Sequence, residues 1–417
     1  MLLPLLVCFM VGSIQAAQVK YDGYKVLRIS PQNEFEMEVL KRLQNVPSLD
    51  FWDFPRDVMV SPEQEEWVTR RLNSNGIQYK VWIEDVQTLI DNQFTSRNGG
   101  DDVTANFYTQ YRSYDEILQW VKSKPVQYPN LAVDFAFADT SYEGREIRGL
   151  KISSDPQPFK KVVWLEAGIH AREWISPATL MYITDSLLAD YGTDPDVTKF
   201  LDTFVFYINP SMNPDGYEHS RNEDRMWRKT RSPNEGSTCI GTDGNRNFEY
   251  EWGGTGSSGL ACASTYRGTH PYSEVEVLTD TNYIKALASG GADIQFYVNF
   301  HSYGQLWLLP WSYTGDERPP NPDYDNMMEM AAYGTNATLA VSGLVFTYGS
   351  CGEILYEAAG NANDFAYGTM GIPYSYVIEL RDDGEYGFLL PEDQIIPSGE
   401  ETYAGIKAAL NYLLSTA

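Results

Sequence analysis

The sequence predicts an α/β protein of two folding units, a small α+β unit followed by a large unit whose sheet carries helices on both faces. Three observations carry this prediction. First, 417 residues, 43% hydrophobic and 14% aromatic, exceed a single small module and can bury a large core, which excludes a disordered chain. Second, residues 20–97 read as strand, helix, strand, strand, helix, strand, the order of a split-βαβ unit. Third, from Phe107 onward helical patterns alternate with continuous apolar runs, as expected of strands covered on both faces.

The elements follow in chain order. Leu2–Val11 is an apolar run of ten followed by Gly-Ser-Ile-Gln-Ala-Ala. It is too short to span a bilayer and suits the core of a signal peptide, with a cut after Ala16 or Ala17. No Lys or Arg marks an n-region, but the abrupt polar switch at Gln18 disfavours a buried N-terminal strand or helix. A signal peptide over residues 1–16 and secretion to the extracellular space are therefore expected. Lys25–Ile29 reads as a strand, and Pro31–Leu43 as a helix with Phe35, Val39, Leu40 and Leu43 on its apolar face. Leu49–Phe54 and Asp57–Val60 are short strands. Ser61-Pro62 is an N-cap with proline in the first turn, opening a helix through Leu72. Asn75-Gly76 ends that helix, Ile77–Ile83 is a fourth strand, and Val86–Phe94 is helical. Thr95–Asp102, with Arg97 before Asn-Gly-Gly, is a seam open to trypsin-like cleavage, or more plainly an interdomain linker.

Charge divides the chain at the same place. Residues 18–97 hold 10 basic and 13 acidic side chains, and residues 98–417 hold 21 and 44. The total of -26 argues against nucleic acid or anionic membrane as a partner and favours a soluble monomer. It suits a neutral-to-alkaline extracellular fluid such as a digestive lumen. In an oxidising compartment Cys239 and Cys262, 23 positions apart in Gly/Ser-rich sequence, are expected to pair, for about 3 kcal/mol of stabilisation. Cys8 leaves with the signal peptide, and Cys351 remains as a buried thiol. Asn336-Ala337-Thr338 is a glycosylation sequon.

In the large unit the apolar runs are Lys161–Leu165, Phe204–Ile208, Ile294–Phe300 and Tyr374–Ile378. In such sheets working groups gather at strand ends. The first run leads to Glu166-Ala-Gly-Ile-His170-Ala-Arg172-Glu173-Trp174, the third to Phe300-His301-Ser302-Tyr303, and the fourth to Glu379-Leu-Arg-Asp382. His170 and Glu173 are three apart, so one turn can aim both at a metal; His301, 131 positions later, can join them only by folding. Two His and one Glu form the open set of a catalytic zinc, with water in the fourth position. Each piece alone is weak, since an isolated H-x-x-E arises by chance and a strand-end His is commonly a hydrogen-bonded core residue. The chain holds only four His, however, and the other two, His219 and His270, lie in polar loop sequence and read as surface residues. There is no H-E-x-x-H helix and no G-x-S-x-G nucleophile elbow in the large unit.

The motifs Ser141-Tyr-Glu-Gly-Arg145, Gly168–Trp174, Asn213-Pro-Asp-Gly216, Arg225–Ser232, Gly241–Asn247, His301-Ser-Tyr303 and Glu379–Asp382 stand in order. With them, from about Val19 to the C-terminus, the sequence resembles the zinc procarboxypeptidases of the A/B type. That resemblance implies a signal peptide (1–16), a ferredoxin-like activation propeptide (17–97) and a large mixed-sheet zinc carboxypeptidase domain (98–417). It implies one zinc per chain on His170, Glu173 and His301, and Glu379 as general base for a zinc-activated water. Arg228 would polarise the scissile carbonyl and stabilise the oxyanion, and Asp243 would orient His170. Asn245, Arg246 and Tyr356 would clamp the substrate's C-terminal carboxylate, with Arg172, Tyr303 and Phe388 forming outer subsites. The family also places cis peptides after Ser302, Pro310 and Arg381. Its implied partners are peptide and protein C-termini, its own propeptide as inhibitor and a trypsin-like activating protease.

The family sets specificity largely with the residue before an Asp-aromatic pair, here Asp364-Phe365. Counting forward from Tyr356 keeps that pair in register and makes Asn363 the position in question, whereas counting back from Glu379, across one extra residue near Gly368–Gly371, would select Asp364. The remaining wall positions, Leu308, Ser312, Cys351, Leu355, Ala358 and Val377, are neutral and mostly apolar. A buried Lys or Arg would find no partner there, so release of neutral aliphatic and aromatic residues (A-type) is expected. A non-catalytic peptide-binding homologue would lack a ligand, base or clamp residue, and none is missing.

Overall fold

The computed structural model describes residues 18–44, 46–93, 107–155 and 161–416. The expected signal peptide and the seam at Arg97 lie outside the described residues.

The first unit comprises β1 (Lys25–Ser30), α1 (Glu34–Gln44), β2 (Asp50–Asp53), β3 (Asp57–Val60), α2 (Pro62–Ser74) and β4 (Gln78–Ile83), followed by α3 (Val86–Gln93). Its antiparallel sheet has the order β2-β3-β1-β4, the ferredoxin-like arrangement. Pro62 sits in the first turn of α2, the Ser61 backbone N–H donates to Gln64 Oε1 at 2.9 Å, and Gly76, at φ +73°, turns the chain away after the helix. One expected core residue is not in the core. Phe35 is 62% exposed, whereas Val39, Leu40 and Leu43 are buried. The helix starts at Glu34 rather than Pro31, and Glu36 takes the sheltered position by accepting from the Gln32 N–H (2.9 Å) and Asn33 Nδ2 (2.8 Å).

The second unit runs α4 (Tyr114–Gln127), β5 (Ala132–Thr140), β6 (Glu146–Ile152), β7 (Lys161–Ala167), α5 (Ile175–Asp190), α6 (Pro195–Thr203), β8 (Phe204–Asn209) and α7 (Pro214–Asn222). It continues with α8 (Val275–Ser289), β9 (Asp293–Ser302), β10 (Leu306–Leu309), α9 (Asp323–Ser342), β11 (Thr347–Ser350), α10 (Cys351–Ile354), α11 (Ala362–Asp364), β12 (Tyr374–Leu380) and α12 (Ile395–Thr416). The mixed eight-stranded sheet has the order β11-β10-β12-β9-β7-β8-β6-β5. Its central strands β12, β9, β7 and β8 are parallel neighbours, and they are the four continuous apolar runs of the sequence.

Alternation along β7 shows why those runs are unbroken. Val163 and Leu165 pack into one core with Ile183 of α5 and Leu410 of α12. Val162 and Trp164 pack into the opposite one with Val277 and Ile284 of α8. Cys239 and Cys262 form the expected disulfide, and Cys351 is a buried free thiol. The peptides after Ser302, Pro310 and Arg381 are cis, as are those before Pro55 and Pro322. His270 is exposed, but His219 is not a loop residue: it lies in α7, half-buried, with its ring edge-on to Trp227 at 4.9 Å. No helix among the described residues is long and apolar enough to cross a membrane.

Candidate active site

Strand pairing brings the site together. β7 leads into the turn carrying His170 and Glu173, where Gly168 adopts φ +71° and a side chain would press within 3.2 Å of Ser211 Cα. β9, beside β7, ends in His301. β12, on the other side of β9, places Glu379 in register with His301. The turn is pinned by Asn213 Nδ2 donating to the Ile169 carbonyl (3.1 Å) and by the Ala171 N–H donating to the Arg228 carbonyl (3.0 Å).

The Nδ1 atoms of His170 and His301 are 3.1 Å apart, and Glu173 reaches both, Oε1 at 2.8 Å from His170 Nδ1 and Oε2 at 3.1 Å from His301 Nδ1. All three residues are buried. Two imidazole nitrogens and a carboxylate converging on one point are a donor set for zinc. The charge states agree. Burial lowers the affinity of His301 for a proton more than Glu173 raises it, which favours the neutral ring that a metal needs. Burial pushes the Glu173 carboxyl up, but the two imidazoles outweigh it and hold the group well below the usual carboxylate range. The far nitrogen of His170, Nε2, meets Asp243 Oδ1 at 3.0 Å, which turns Nδ1 toward the shared point.

Asp243 does more than orient His170. Its Oδ2 accepts from Arg228 Nε (3.2 Å) and Nη2 (2.8 Å), and Oδ1 also accepts from the Asn245 N–H at 3.0 Å. One buried carboxylate therefore fixes a metal ligand and a guanidinium together. Arg246 is buried, donating to the carbonyls of Gly256 and Asn245 at 2.8 Å each. Asn245 Oδ1 accepts from the Ala362 N–H at 2.9 Å. Glu379 has a buried Oε2 with no hydrogen-bond partner among the described residues. Burial and then the nearby Glu173 raise its proton affinity well above the ordinary carboxylate value, against the opposing pull of Arg228.

His170, Glu173, His301 and Glu379 line a small cavity of about 30 Å³ with Arg228, Asn245, Arg246, Tyr303, Tyr356 and Phe388. Leu308, Cys351, Leu355, Ala358 and Val377 form its apolar wall. Asn363 and Ser312 are not part of the lining. Asn363 is fully buried, its Oδ1 accepting from Ser312 Oγ at 2.8 Å and its Nδ2 3.5 Å from the carbonyl of Leu308, a lining residue.

The cavity is covered in part by the first unit. Trp52 and Asp53 of β2 are among its lining residues, and local sequence gave no sign of it. The β2–β3 register shifts between Phe51 and Asp53; the irregularity lets Phe51 stay in the small unit's core while Trp52 and Asp53 both reach the cleft. The Trp52 ring lies 5.3 Å from Phe388, and Trp82 lies 5.9 Å from Tyr303. The Tyr303 hydroxyl donates to Asp57 Oδ2 at 3.0 Å, and Arg172 Nη1 donates to Asp50. Arg172, Tyr303 and Phe388 are thus each covered by the small unit. Burial pushes the Asp53 carboxyl up to about 7, against the pull of Arg56.

Known proteins share both units. The zinc carboxypeptidase family matches residues 117–405, and the carboxypeptidase activation peptide family matches residues 27–93. The chain is 36% identical over 430 residues to carboxypeptidase A2 of Rattus norvegicus, covering 99% of each chain. It is 36% identical over 411 residues to carboxypeptidase A1 of Sus scrofa, covering 96% of each. Among solved structures, it is similar to thrombin activatable fibrinolysis inhibitor, with a TM-score of 0.83, 32% identity, and 94% of this chain and 99% of that one covered. It is also similar to carboxypeptidase A from Helicoverpa armigera, with a TM-score of 0.85, 27% identity, and 95% and 99% covered. With the ligand set, the cleft and the covering unit all in place, the chain belongs to the zinc carboxypeptidase family and carries that family's activation peptide ahead of its catalytic domain.

Proposed function

We propose that this chain is a secreted, monomeric zymogen whose mature enzyme removes neutral aliphatic and aromatic residues from peptide C-termini. In this reading residues 1–16 are the signal peptide, 17–97 the activation propeptide and 98–417 the catalytic domain, freed by a trypsin-like cut near Arg97. The apolar wall of the cavity carries the specificity: Leu308, Cys351, Leu355, Ala358 and Val377 offer no charge to a basic side chain, and the nearby Asn363 is neutral. An unpaired Lys or Arg there would lose several kcal/mol.

His170, Glu173 and His301 hold zinc, which when bound acts as a Lewis acid and lowers the pKa of its water. Glu379 takes the proton of the attacking water and passes it to the leaving amine. Its buried carboxyl, with raised proton affinity, suits a group that must both accept and return a proton. Arg228, fixed by two bonds to Asp243, faces the carbonyl oxygen as negative charge develops on it. Arg246, Asn245 and Tyr356 hold the terminal carboxylate, and Arg172, Tyr303 and Phe388 receive residues upstream of the scissile bond.

Mass spectrometry of a peptide with mixed C-terminal residues, sampled after brief trypsin treatment, tests the reading. The expected result is a ladder losing one neutral residue at a time, absent with a zinc chelator and absent without trypsin. Faster release of Arg than of Phe would overturn the specificity.

A further inference from the structure

Beneath the metal ligands the sheet encloses a second acidic group that the reaction does not use. Glu166, in β7 and four residues before His170, has no exposed surface. Its Oε2 accepts from Trp164 Nε1 at 2.6 Å, and its Oε1 accepts from Asn299 Nδ2 at 2.6 Å and from the Tyr297 hydroxyl. Asp280 of α8 is buried as deeply, with Oδ1 accepting from Asn209 Nδ2 at 3.0 Å at the end of β8. Asp280 Oδ2 has no hydrogen-bond donor among the described residues. Asn209, which holds Asp280, is the β8 residue in register with Glu166, so the two carboxyl groups meet at one buried point. Carboxylates only accept, so two that meet there repel one another unless one of them carries a proton. The groups acting on the pair from the surrounding elements are Trp164 of β7, Asn209 of β8, and Tyr297 and Asn299 of β9, and none carries positive charge.

We infer that Glu166 and Asp280 hold one proton between them in the folded protein, and that this pair is a positioning clamp setting the strand of His170 against the strand of His301. Register supports the role. Glu166 pairs with Asn299, two residues before His301, so its bonds to Tyr297 and Asn299 tie β7 to β9 directly under the ligands. Asp280 fastens α8 and β8 to the same point. Ionising both members would place two negative charges in contact without a counter-ion. Burial raises the proton affinity of each, and the negative charge of Glu166 raises that of Asp280 further.

The folded pair keeps a proton that the unfolded chain releases above about pH 4. Its contribution to stability is therefore complete below that pH and is lost as pH rises through the raised folded value. Asp280→Asn supplies an amide donor to Glu166 and needs no proton.

The test uses the full chain loaded with zinc. The infrared spectrum at pH 8 is expected to show the carbonyl stretch of a buried carboxylic acid that D280N lacks. In urea denaturation between pH 5 and 7, the unfolding constant of the unsubstituted protein is expected to rise about tenfold more per pH unit than that of D280N, the linkage of one proton. Asp280→Leu, which strands Glu166 and Asn209, is expected to weaken zinc binding at least about tenfold relative to D280N in a chelator competition. Identical infrared bands and pH slopes in the unsubstituted protein and D280N would overturn the shared proton. Equal zinc affinity in D280L and D280N would overturn the positioning role. Should D280N fail to fold, Glu166→Gln removes the same band from the other side of the pair, and a band that survives E166Q overturns the inference.

Discussion

Trp52→Ala is the perturbation that most directly tests how the activation unit closes the cleft. Trp52 is 5% exposed, with its ring 5.3 Å from Phe388 and 6.1 Å from Trp82. A tryptophan buries roughly 200 Å², and Trp52 is shared between its own unit and the catalytic domain, so about half belongs to the interface. At about 25 cal/mol per Å² that half contributes about 2.5 kcal/mol. The aromatic pairing with Phe388 adds roughly 0.5 kcal/mol. A loss near 3 kcal/mol weakens docking on the order of a hundredfold. The assay cuts the full chain at the seam and follows activity through a dilution series, so that the appearance of activity reports dissociation of the small unit. Phe35→Ala, an aromatic deletion at a 62% exposed position of the same unit, is the control and is expected to leave docking unchanged. A dissociation constant for W52A within threefold of the unsubstituted protein would show instead that polar contacts such as Arg172 to Asp50 hold the cleft.

Three further outcomes are expected. Glu379→Gln should lower kcat by about 10² to 10⁴ while zinc, measured by elemental analysis, stays bound; near-normal turnover would remove Glu379 as the proton carrier. Asp243→Asn leaves the buried Arg228 without its carboxylate and should cost about 3 kcal/mol at pH 7 in denaturant titrations. Although burial opposes it, Arg228 and His170 hold the Asp243 carboxyl well below the usual range. Its stabilisation is thus present above about pH 4 and lost as pH falls toward the folded value, so the gap between D243N and the unsubstituted protein should narrow in acid; a gap that widens would contradict the assignment. Replacing Cys239 and Cys262 by Ser opens a loop of 23 positions and should cost about 3 kcal/mol in the same titrations; no change would show that other contacts of this segment already restrain it.

The parts of the structure legible in the sequence are those whose physics is local or strictly periodic. Lys161–Leu165, Phe204–Ile208, Ile294–Phe300 and Tyr374–Ile378 stood out because a strand buried on both faces has no polar positions, and they form the parallel centre of the sheet. The edge strand β5 escaped such reading because only Ala132 and Phe137 of it are buried, while Val133 is 51% exposed. His170, Glu173 and His301 could be nominated because few histidines compete with them, whereas their convergence depends on β7 and β9 pairing. His219 misled because a polar helix has the composition of a loop. Trp52 and Asp53 gave no signal of reaching the cleft, since that follows from a shift in the β2–β3 pairing and from a partner surface more than 300 positions away at Phe388. The role of Asp243 in holding Arg228 as well as His170 likewise depends on two loops meeting in space.

The division of the metal ligands between β7 and β9 has a consequence for how the molecule is made. His170 and Glu173 are neighbours in the chain, but the third ligand arrives only when a strand 131 positions later has docked against β7. That pairing is non-local, and closing such long loops is among the slow events of folding. A partly folded chain would therefore offer only two of the three donors and hold zinc weakly. Tight metal retention becomes a timer, switched on when the centre of the sheet is complete, and zinc capture during refolding should lag behind the collapse of the small unit.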